Sequence, residues 1–420
     1  MSVVRFGMRA AWILVALLGS ACGTAEAVVE PPTPLPLSSA AVPSVPPPPP
    51  LPEVPPAPPP LDLPPTPRGA ILSQSVFPLL DVTQWTLANG AVVVYKHLPD
   101  AEGYVLRAIA KGGWTTLSPR DSVEVDQPLV RRWEAEGLTA TLAATERRID
   151  AQGPDLEVLI GGLSRVFAGD LSPARARYTA VDRLDPIWRD GEEGAGLPIP
   201  LAALFSDPGA FTVVVVGADD PEVAASVAGR RLALVQASDG ISFGDPVRFD
   251  GTAPRVEGAG DYGVLDVALR ISSRAGDEAP LQVLRGALEA SLRTADLGSL
   301  TVEAARVPWT ESAWLRVLVE ESAMGADGLE TAIREALSGD ALYVSRARRR
   351  LLRDLRSPTP RHWLDAVTQL YRDGGGRQPG YDPASLSPLS APLTRVTDSD
   401  VLTLARRFAG STDTAMILSP

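Results

Sequence analysis

The sequence is short of the side chains that enzymes most often use for metal binding and nucleophilic catalysis. Its 420 residues include one cysteine, Cys22, and two histidines, His97 and His362. A single cysteine excludes an internal disulfide framework and a zinc cluster built from cysteines. The two histidines stand 362 − 97 = 265 positions apart. The chain therefore has no histidine pair with the four-residue spacing that brings two imidazoles together on one helix face.

Positive charge is also in deficit. Lysine and arginine number 39 against 51 aspartates and glutamates, which gives a net charge of −12, and the only lysines are Lys96 and Lys111. An acidic chain repels nucleic acid, so no nucleic-acid partner is expected. The hydrophobic content of 45% is typical of a soluble globular protein. The length suits two domains of ordinary size.

Residues 1–21 have the order of a secretory signal peptide. Arg5 and Arg9 precede an apolar run, Ala10–Leu18, and the small residues Gly19-Ser20-Ala21 follow it. The apolar run is too short to cross a bilayer as a stable helix, so a retained membrane anchor is the less favoured alternative.

Cys22 follows this signal directly. The stretch Leu18–Cys22 resembles a bacterial lipobox, although Gly19 stands where that motif prefers leucine. We therefore predict that Cys22 is lipidated and that its acyl chains hold the protein on a membrane. The residue after the cysteine is Gly23 and not an aspartate. In bacterial lipoproteins, the lack of an aspartate at this position favours the outer membrane of the cell envelope.

A proline-rich segment, within residues 22–68, comes next. Between Pro31 and Pro67, 19 of 37 residues are proline. Proline fixes φ and donates no backbone hydrogen bond, which excludes a helical or sheet core here. The composition predicts an extended, disordered spacer with a reach on the order of 100 Å. A docking site for a proline-binding partner is the alternative.

Two units in which strands come first and helices follow are predicted over residues 69–245 and 246–420. In the first unit, the pattern predicts a hairpin (Val82–Leu87 and Ala91–His97), strands at Tyr104–Ala110 and Phe211–Gly217, and helices at Val130–Glu136, Asp155–Phe167, Pro173–Leu184 and from Asp220. In the second unit, it predicts strands at Val247–Thr252, Asp261–Ser272, Val302–Pro308, Ser312–Val319 and Thr414–Leu418, and helices at Pro280–Thr294, Ala326–Leu337, Ala341–Arg353, Pro360–Tyr371 and Asp398–Phe408. This order favours an α+β fold of two sandwiches.

Several of these segments resemble motifs of the insulinase/pitrilysin-type metallopeptidases. The hairpin around Leu87-Ala88-Asn89-Gly90 is similar to their opening hairpin, and Gly112-Gly113 to the segment after their third strand. The remaining similar segments are Leu204–Gly217, Trp363–Tyr371 and Val396–Phe408. The resemblance covers Phe77 to Pro420. It implies two consecutive insulinase-like (mitochondrial processing peptidase-like) α/β sandwich units, and an unrelated two-unit α+β protein is the alternative.

The resemblance does not extend to the catalytic motif. Active members carry H-x-x-E-H on a helix, where two histidines bind zinc and the glutamate is the general base. His97 and His362 cannot form that motif. The stretch Leu297–Thr301 is similar to the family's Leu-Gly-Gly-Thr segment, but the tyrosine that helps to hold the substrate carbonyl is missing. No catalytic residue, metal ligand or cofactor is therefore predicted in this chain, and zinc is expected only in an active partner.

The sequence gives even less support to other kinds of catalytic or binding site. A Ser-His-Asp triad would need one of the two histidines, and neither is accompanied by a G-x-S-x-G motif. We interpret His97 as a surface residue at a strand end. His362 and Asp365, three positions apart, are interpreted as polar residues of a helix that packs through its apolar side. The basic run Arg346–Arg353 is interpreted as a solvated helix face, with a binding patch as the alternative.

Three functions remain open at this stage. The first is a non-catalytic envelope lipoprotein that completes the substrate chamber of an active insulinase-type subunit, as in the family's pairs of active and inactive subunits; a peptide substrate is compatible with it. The second is a stand-alone binding or structural lipoprotein that reuses the fold. The least favoured is an active zinc metalloendopeptidase, because the two isolated histidines cannot supply the zinc ligands that such an enzyme needs.

Overall fold

Most of the predicted elements are present in the computed structural model. It describes residues 69–113, 137–169, 198–236, 264–320, 326–339 and 342–419, except positions 144, 296, 298 and 381, together with residues 67, 116, 117, 122–124, 243, 255 and 256. The predicted signal peptide, Cys22, nearly all of the spacer, the strand at Val247–Thr252 and the helices at Val130–Glu136 and Pro173–Leu184 lie outside the described residues.

The described strands and helices are numbered here in chain order. The strands are β1 (Ile71–Phe77), β2 (Val82–Leu87), β3 (Val92–His97), β4 (Tyr104–Lys111), β5 (Ser122–Glu124), β6 (Leu138–Leu142), β7 (Glu146–Gly153), β8 (Pro198–Pro200), β9 (Thr212–Gly217), β10 (Arg255–Val256), β11 (Val264–Ser272), β12 (Ser299–Arg306), β13 (Ser312–Glu320) and β14 (Asp413–Ser419). The α-helices are α1 (Leu156–Phe167), α2 (Leu201–Phe205), α3 (Pro221–Arg231), α4 (Glu278–Leu292), α5 (Ala326–Ser338), α6 (Val344–Asp354), α7 (Pro360–Asp373), α8 (Ala391–Arg395) and α9 (Asp398–Ala409).

These strands form two main sheets and a small one. The first sheet has the order β1-β2-β3-β9-β4-β7-β6, with β3 and β9 parallel and all other neighbours antiparallel. The second has the order β10-β14-β11-β13-β12, with only the β10–β14 pair parallel. β5 and β8 form a separate two-stranded parallel sheet. No strand is shared between the two main sheets of the described chain.

Local signals explain where several elements begin. Gly90, between β2 and β3, has a φ of 86°, which glycine adopts without strain. The Asp155 side chain accepts hydrogen bonds from the backbone N–H groups of Glu157 and Val158 and so caps α1. Pro221 occupies the first turn of α3, where its missing N–H has no cost. The predicted hairpin and both helix starts are confirmed.

Six of the described strands were not predicted: β1, β6 and β7 of the first sheet, β10 at the edge of the second sheet, and the short strands β5 and β8. β1 is an edge strand with both faces largely exposed, so its sequence lacks a clear alternation. β6 is short, and β7 carries Glu146, Arg147 and Asp150. These charged side chains are buried or nearly buried in ion pairs and carbonyl contacts. Hydrophobic periodicity cannot detect a strand whose buried positions are charged.

The first sheet is covered on both faces. Along β9, Val213 and Val215 pack with α1 and α3 in one core, whereas Val214 and Val216 pack with α7 in another. Val92 and Val93 of β3 divide in the same way. A strand that is buried on both faces reads as a continuous apolar run, as Thr212–Gly217 does. A third core lies between the second sheet and helices α4, α5, α6 and α9.

Helix α7 therefore joins the two halves of the chain. It comes from the predicted second unit but packs on a face of the first sheet. The described residues, from 67 onward, belong to one compact unit. The boundary between residues 245 and 246 stays a prediction, since residues 237–254, apart from Phe243, are not among those described.

Candidate functional site

The two histidines lie in separate local networks. His97, at the end of β3, has its Nδ1 atom 2.9 Å from Asp81 Oδ2. His362, in the first turn of α7, has its Nδ1 atom 3.1 Å from the backbone N–H of Thr359, from which it accepts a hydrogen bond. The Nδ1 atom of each histidine is thus engaged in a local contact near the end of an element. The His362 side chain thereby takes part in the capping box at the N-terminus of α7.

The residues present do not fit a zinc site. A structural or catalytic zinc needs at least three protein ligands converging on one point. Among the described residues, no three His, Cys, Asp or Glu side chains are grouped so that they could hold a metal ion. Both histidines belong to this described part.

The stretch that resembles the family's Leu-Gly-Gly-Thr segment is structural. Leu297 and Leu300 are buried in the core of the second sheet, and β12 begins at Ser299. Ser299 and Thr301 are exposed. This strand start offers a substrate no aromatic hydroxyl.

A buried interface joins α7 to the first sheet. Leu364, Val367, Leu370 and Tyr371 of α7 are each at most 1% exposed. They pack on side chains of β2, β3 and β9 in the core between α7 and the first sheet. The Tyr371 hydroxyl donates a hydrogen bond to Gln84 Oε1 of β2. Burial of one such apolar side chain contributes about 1.5–3 kcal/mol, so this helix is held firmly.

Ion pairs surround this apolar contact. Arg107 of β4 donates hydrogen bonds to Asp150 of β7 and to Asp365 of α7, each at 2.7 Å. Burial acts to raise the pKa of Asp150, but Arg107 and Arg148 outweigh it and hold that pKa below its usual value. Asp365 thus anchors α7 to the first sheet. Asp365 is a polar residue on a helix that packs through its apolar side, as predicted, and its pairing with a residue 258 positions away in sequence is an addition that only the structure shows.

A second group of ion pairs lies at the other end of α7. Arg372 donates two hydrogen bonds to the Glu146 carboxylate, one of them at 2.7 Å from Nε. Arg306 of β12 pairs with Asp373. Burial raises the pKa of Glu278, which lies near Arg372, Asp373 and Arg306, and burial likewise raises the pKa of Asp373. These largely buried ion pairs connect α7 to β7 of the first sheet and to β12 of the second sheet.

A groove lies between α1 and α3. Its volume is about 860 Å³. Val158 and Leu234 line it and are 59% and 64% exposed. Arg231 pairs with Glu157 at 2.6 Å on its wall. Among the described residues that line the groove there is no histidine or cysteine. The arrangement offers apolar contact and charge for binding.

Comparisons with known proteins identify the fold. The sequence matches no protein-family model and no curated protein. The structure is similar to the periplasmic protease PqqL from Escherichia coli, with a TM-score of 0.53 and 16% identity, over 86% of this chain and 47% of that chain. The chain has the fold of the M16, or insulinase-type, peptidases. This confirms the insulinase-like α/β fold that the sequence motifs predicted, while its division into two consecutive units stays a prediction.

Two further structures support the insulinase-type fold. An M16-like peptidase from Alicyclobacillus acidocaldarius matches with a TM-score of 0.51 and 12% identity, over 82% of this chain and all of that one. A chain of complex III2 from Candida albicans matches with a TM-score of 0.54 and 12% identity, over 80% and 95%. Identities this low establish the fold but not an activity. The chain spans about half the length of PqqL.

Proposed function

We propose that this chain is a non-catalytic insulinase-type subunit of a bacterial envelope complex. Lipidation of Cys22 holds it at the outer membrane, and it completes the substrate chamber of a partner that carries H-x-x-E-H. The observation that carries this proposal is the combination of an insulinase-type fold with only two histidines, 265 positions apart (362 − 97). A chain with this fold and no zinc ligands needs another chain for catalysis.

Two further findings support a partner. The match covers 47% of the longer PqqL chain. About half of PqqL therefore lies outside the matched part and accompanies it in the same protein. The Candida albicans match is a chain of a multi-subunit assembly. In the present chain, the two predicted insulinase-like units are joined through α7, which supports a preformed half-chamber rather than two independently moving domains.

Copurification tests this proposal. The full chain, tagged at its C-terminus, is purified from native membranes and analysed by mass spectrometry, zinc analysis and a peptide-cleavage assay. We expect a second insulinase-type chain with H-x-x-E-H, zinc in proportion to that chain, and cleavage that a chelator abolishes. Substitutions His97→Gln and His362→Gln serve as controls and are expected to change neither the zinc content nor the cleavage rate.

Two results would contradict the proposal. Purification of this chain alone, without any second insulinase-type protein, would remove the partner. Stoichiometric zinc and chelator-sensitive cleavage in the isolated chain, lost on His97→Gln or His362→Gln, would make the chain itself an enzyme.

The α1–α3 groove favours one alternative, a stand-alone binding lipoprotein. Its exposed Val158 and Leu234 present an apolar surface of the kind that receives ligands or partner segments. The double substitution Val158→Ser/Leu234→Ser separates the two functions. If binding of an envelope peptide pool by the isolated chain falls while recovery of an active partner is unchanged, stand-alone binding is supported. If neither changes, the groove is not the binding site.

A further inference from the structure

Helix α6 exposes a group of arginines that the fold does not use. We define the α6 arginine face as Arg346, Arg349, Arg350 and Arg353, all of which are exposed. Arg356, just beyond the helix, is exposed as well. At 3.6 residues per turn, the four helical arginines fall within an arc of about 100°. They form one continuous basic stripe.

The opposite side of α6 is what attaches the helix to the protein. Val344 and Ala347 are buried in the core of the second sheet, and Leu351 and Leu352 pack against it. Arg348 also points to that side, since it donates a hydrogen bond to the Val396 carbonyl. The α6 arginine face therefore contributes nothing to the packing of the helix.

The arginines of this face also lack anionic partners. Elsewhere in the chain, arginines such as Arg316 and Arg372 pair closely with carboxylates. In the part of the chain that the structure describes, no carboxylate lies within ion-pair distance of the α6 arginine face. Like charges three and four residues apart repel one another along a helix. Binding of an anionic surface relieves that repulsion, and the net charge of −12 makes this basic stripe distinct from the rest of the molecule.

One aromatic side chain accompanies the stripe. Tyr343, which directly precedes α6 and lies three residues before Arg346, is 47% exposed. Tyrosine favours membrane–water interfaces because its ring is apolar and its hydroxyl is polar. No aliphatic side chain of α6 is exposed. The face therefore suits contact with charged headgroups and not insertion into acyl chains.

We propose that the α6 arginine face binds anionic phospholipid headgroups at a membrane surface. Charge complementarity favours this occupant, because basic stripes on a helix are attracted to anionic lipid. A second copy of this chain, whose net charge is −12, is the other anionic occupant, and the test below separates the two. The choice of a membrane rests on the proposed lipidation of Cys22, which keeps the chain close to one.

Vesicle flotation tests this proposal without relying on the lipid anchor. The full chain with Cys22→Ser is mixed with phosphatidylcholine vesicles that contain or lack phosphatidylglycerol. We expect binding that increases with phosphatidylglycerol and falls with salt. Arg346→Gln/Arg350→Gln is expected to weaken the phosphatidylglycerol-dependent binding about 30-fold, which corresponds to about 1 kcal/mol for each arginine.

A matched control distinguishes an effect of the α6 arginine face from an effect of the protein's overall charge. Arg274→Gln/Arg406→Gln removes two other exposed arginines and changes the net charge equally, and it is expected to leave binding within about twofold, because these residues lie outside α6. Equal loss in both variants, or no response to phosphatidylglycerol, overturns the proposal. So does self-association that only Arg346→Gln/Arg350→Gln abolishes, since the occupant is then a second copy. Incorporation of labelled palmitate into the unmodified chain tests Cys22 separately.

Discussion

Removing the Glu146 carboxylate is expected to destabilise the chain by about 3 kcal/mol, the lower end of the range for breaking a buried ion pair. The Glu146 side chain is 2% exposed and its partner Arg372 is 15% exposed. In Glu146→Gln, the guanidinium loses its bidentate partner in a site with little water. The cost stays at the lower end because Glu278 and Asp373 lie close enough to influence Arg372.

The double substitution Glu146→Gln/Arg372→Met completes the test. Methionine keeps much of the arginine volume and carries no charge, so no isolated charge is left buried. We expect the double variant to be destabilised by less than the sum of the two single variants, with an interaction energy of about 2 kcal/mol. Urea unfolding followed by far-ultraviolet circular dichroism measures each free energy of unfolding.

An exposed pair provides the control. Glu289 and Arg293 of α4 form an i,i+4 pair at 2.7 Å, with 33% and 60% of their side chains exposed. Glu289→Gln is expected to cost less than about 0.5 kcal/mol, as exposed helix pairs do. If Glu146→Gln proves as mild as Glu289→Gln, the joint between β7 and α7 does not hold the two halves together and the reasoning is refuted.

Three further predictions concern the same interface and its surroundings. Leu370→Ala should lower the free energy of unfolding by about 2–5 kcal/mol and reduce hydrogen-exchange protection in β3 and β9 as well as in α7; loss confined to α7 would contradict the shared core. Gly217→Ala should cost about 1–3 kcal/mol, measured by urea unfolding, because its Cβ would lie 2.1 Å from the Tyr104 ring; a neutral result would mean that the ring moves freely. Because burial raises the pKa of Glu278, its contribution to stability is present below the unfolded pKa near 4.3 and is lost as pH rises through the folded pKa. Glu278→Gln should therefore remove part of the fall in stability from acidic to neutral pH, and identical pH profiles in urea titrations would count against it.

Local patterns were sufficient to predict much of the fold. The hairpin around Asn89-Gly90, the Asp155 cap of α1 and the proline at the start of α3 depend on neighbours only a few residues away. The motif resemblance, which depends on the order of such elements, anticipated the insulinase-type fold. β7 escaped prediction because the partners of its charged side chains are distant in sequence.

The histidine count by itself determined that the chain cannot form H-x-x-E-H, since composition and spacing are properties of the sequence alone. The role of α7 was decided only by the tertiary structure. Its apolar stripe, with Val367 and Leu370, predicted a buried face but not the surface that buries it. The spacing of apolar residues along a helix is the same whichever sheet the helix packs against, so it does not identify that sheet. The contacts of Asp365 and Arg372 with residues more than 220 positions away decide that it is the first sheet.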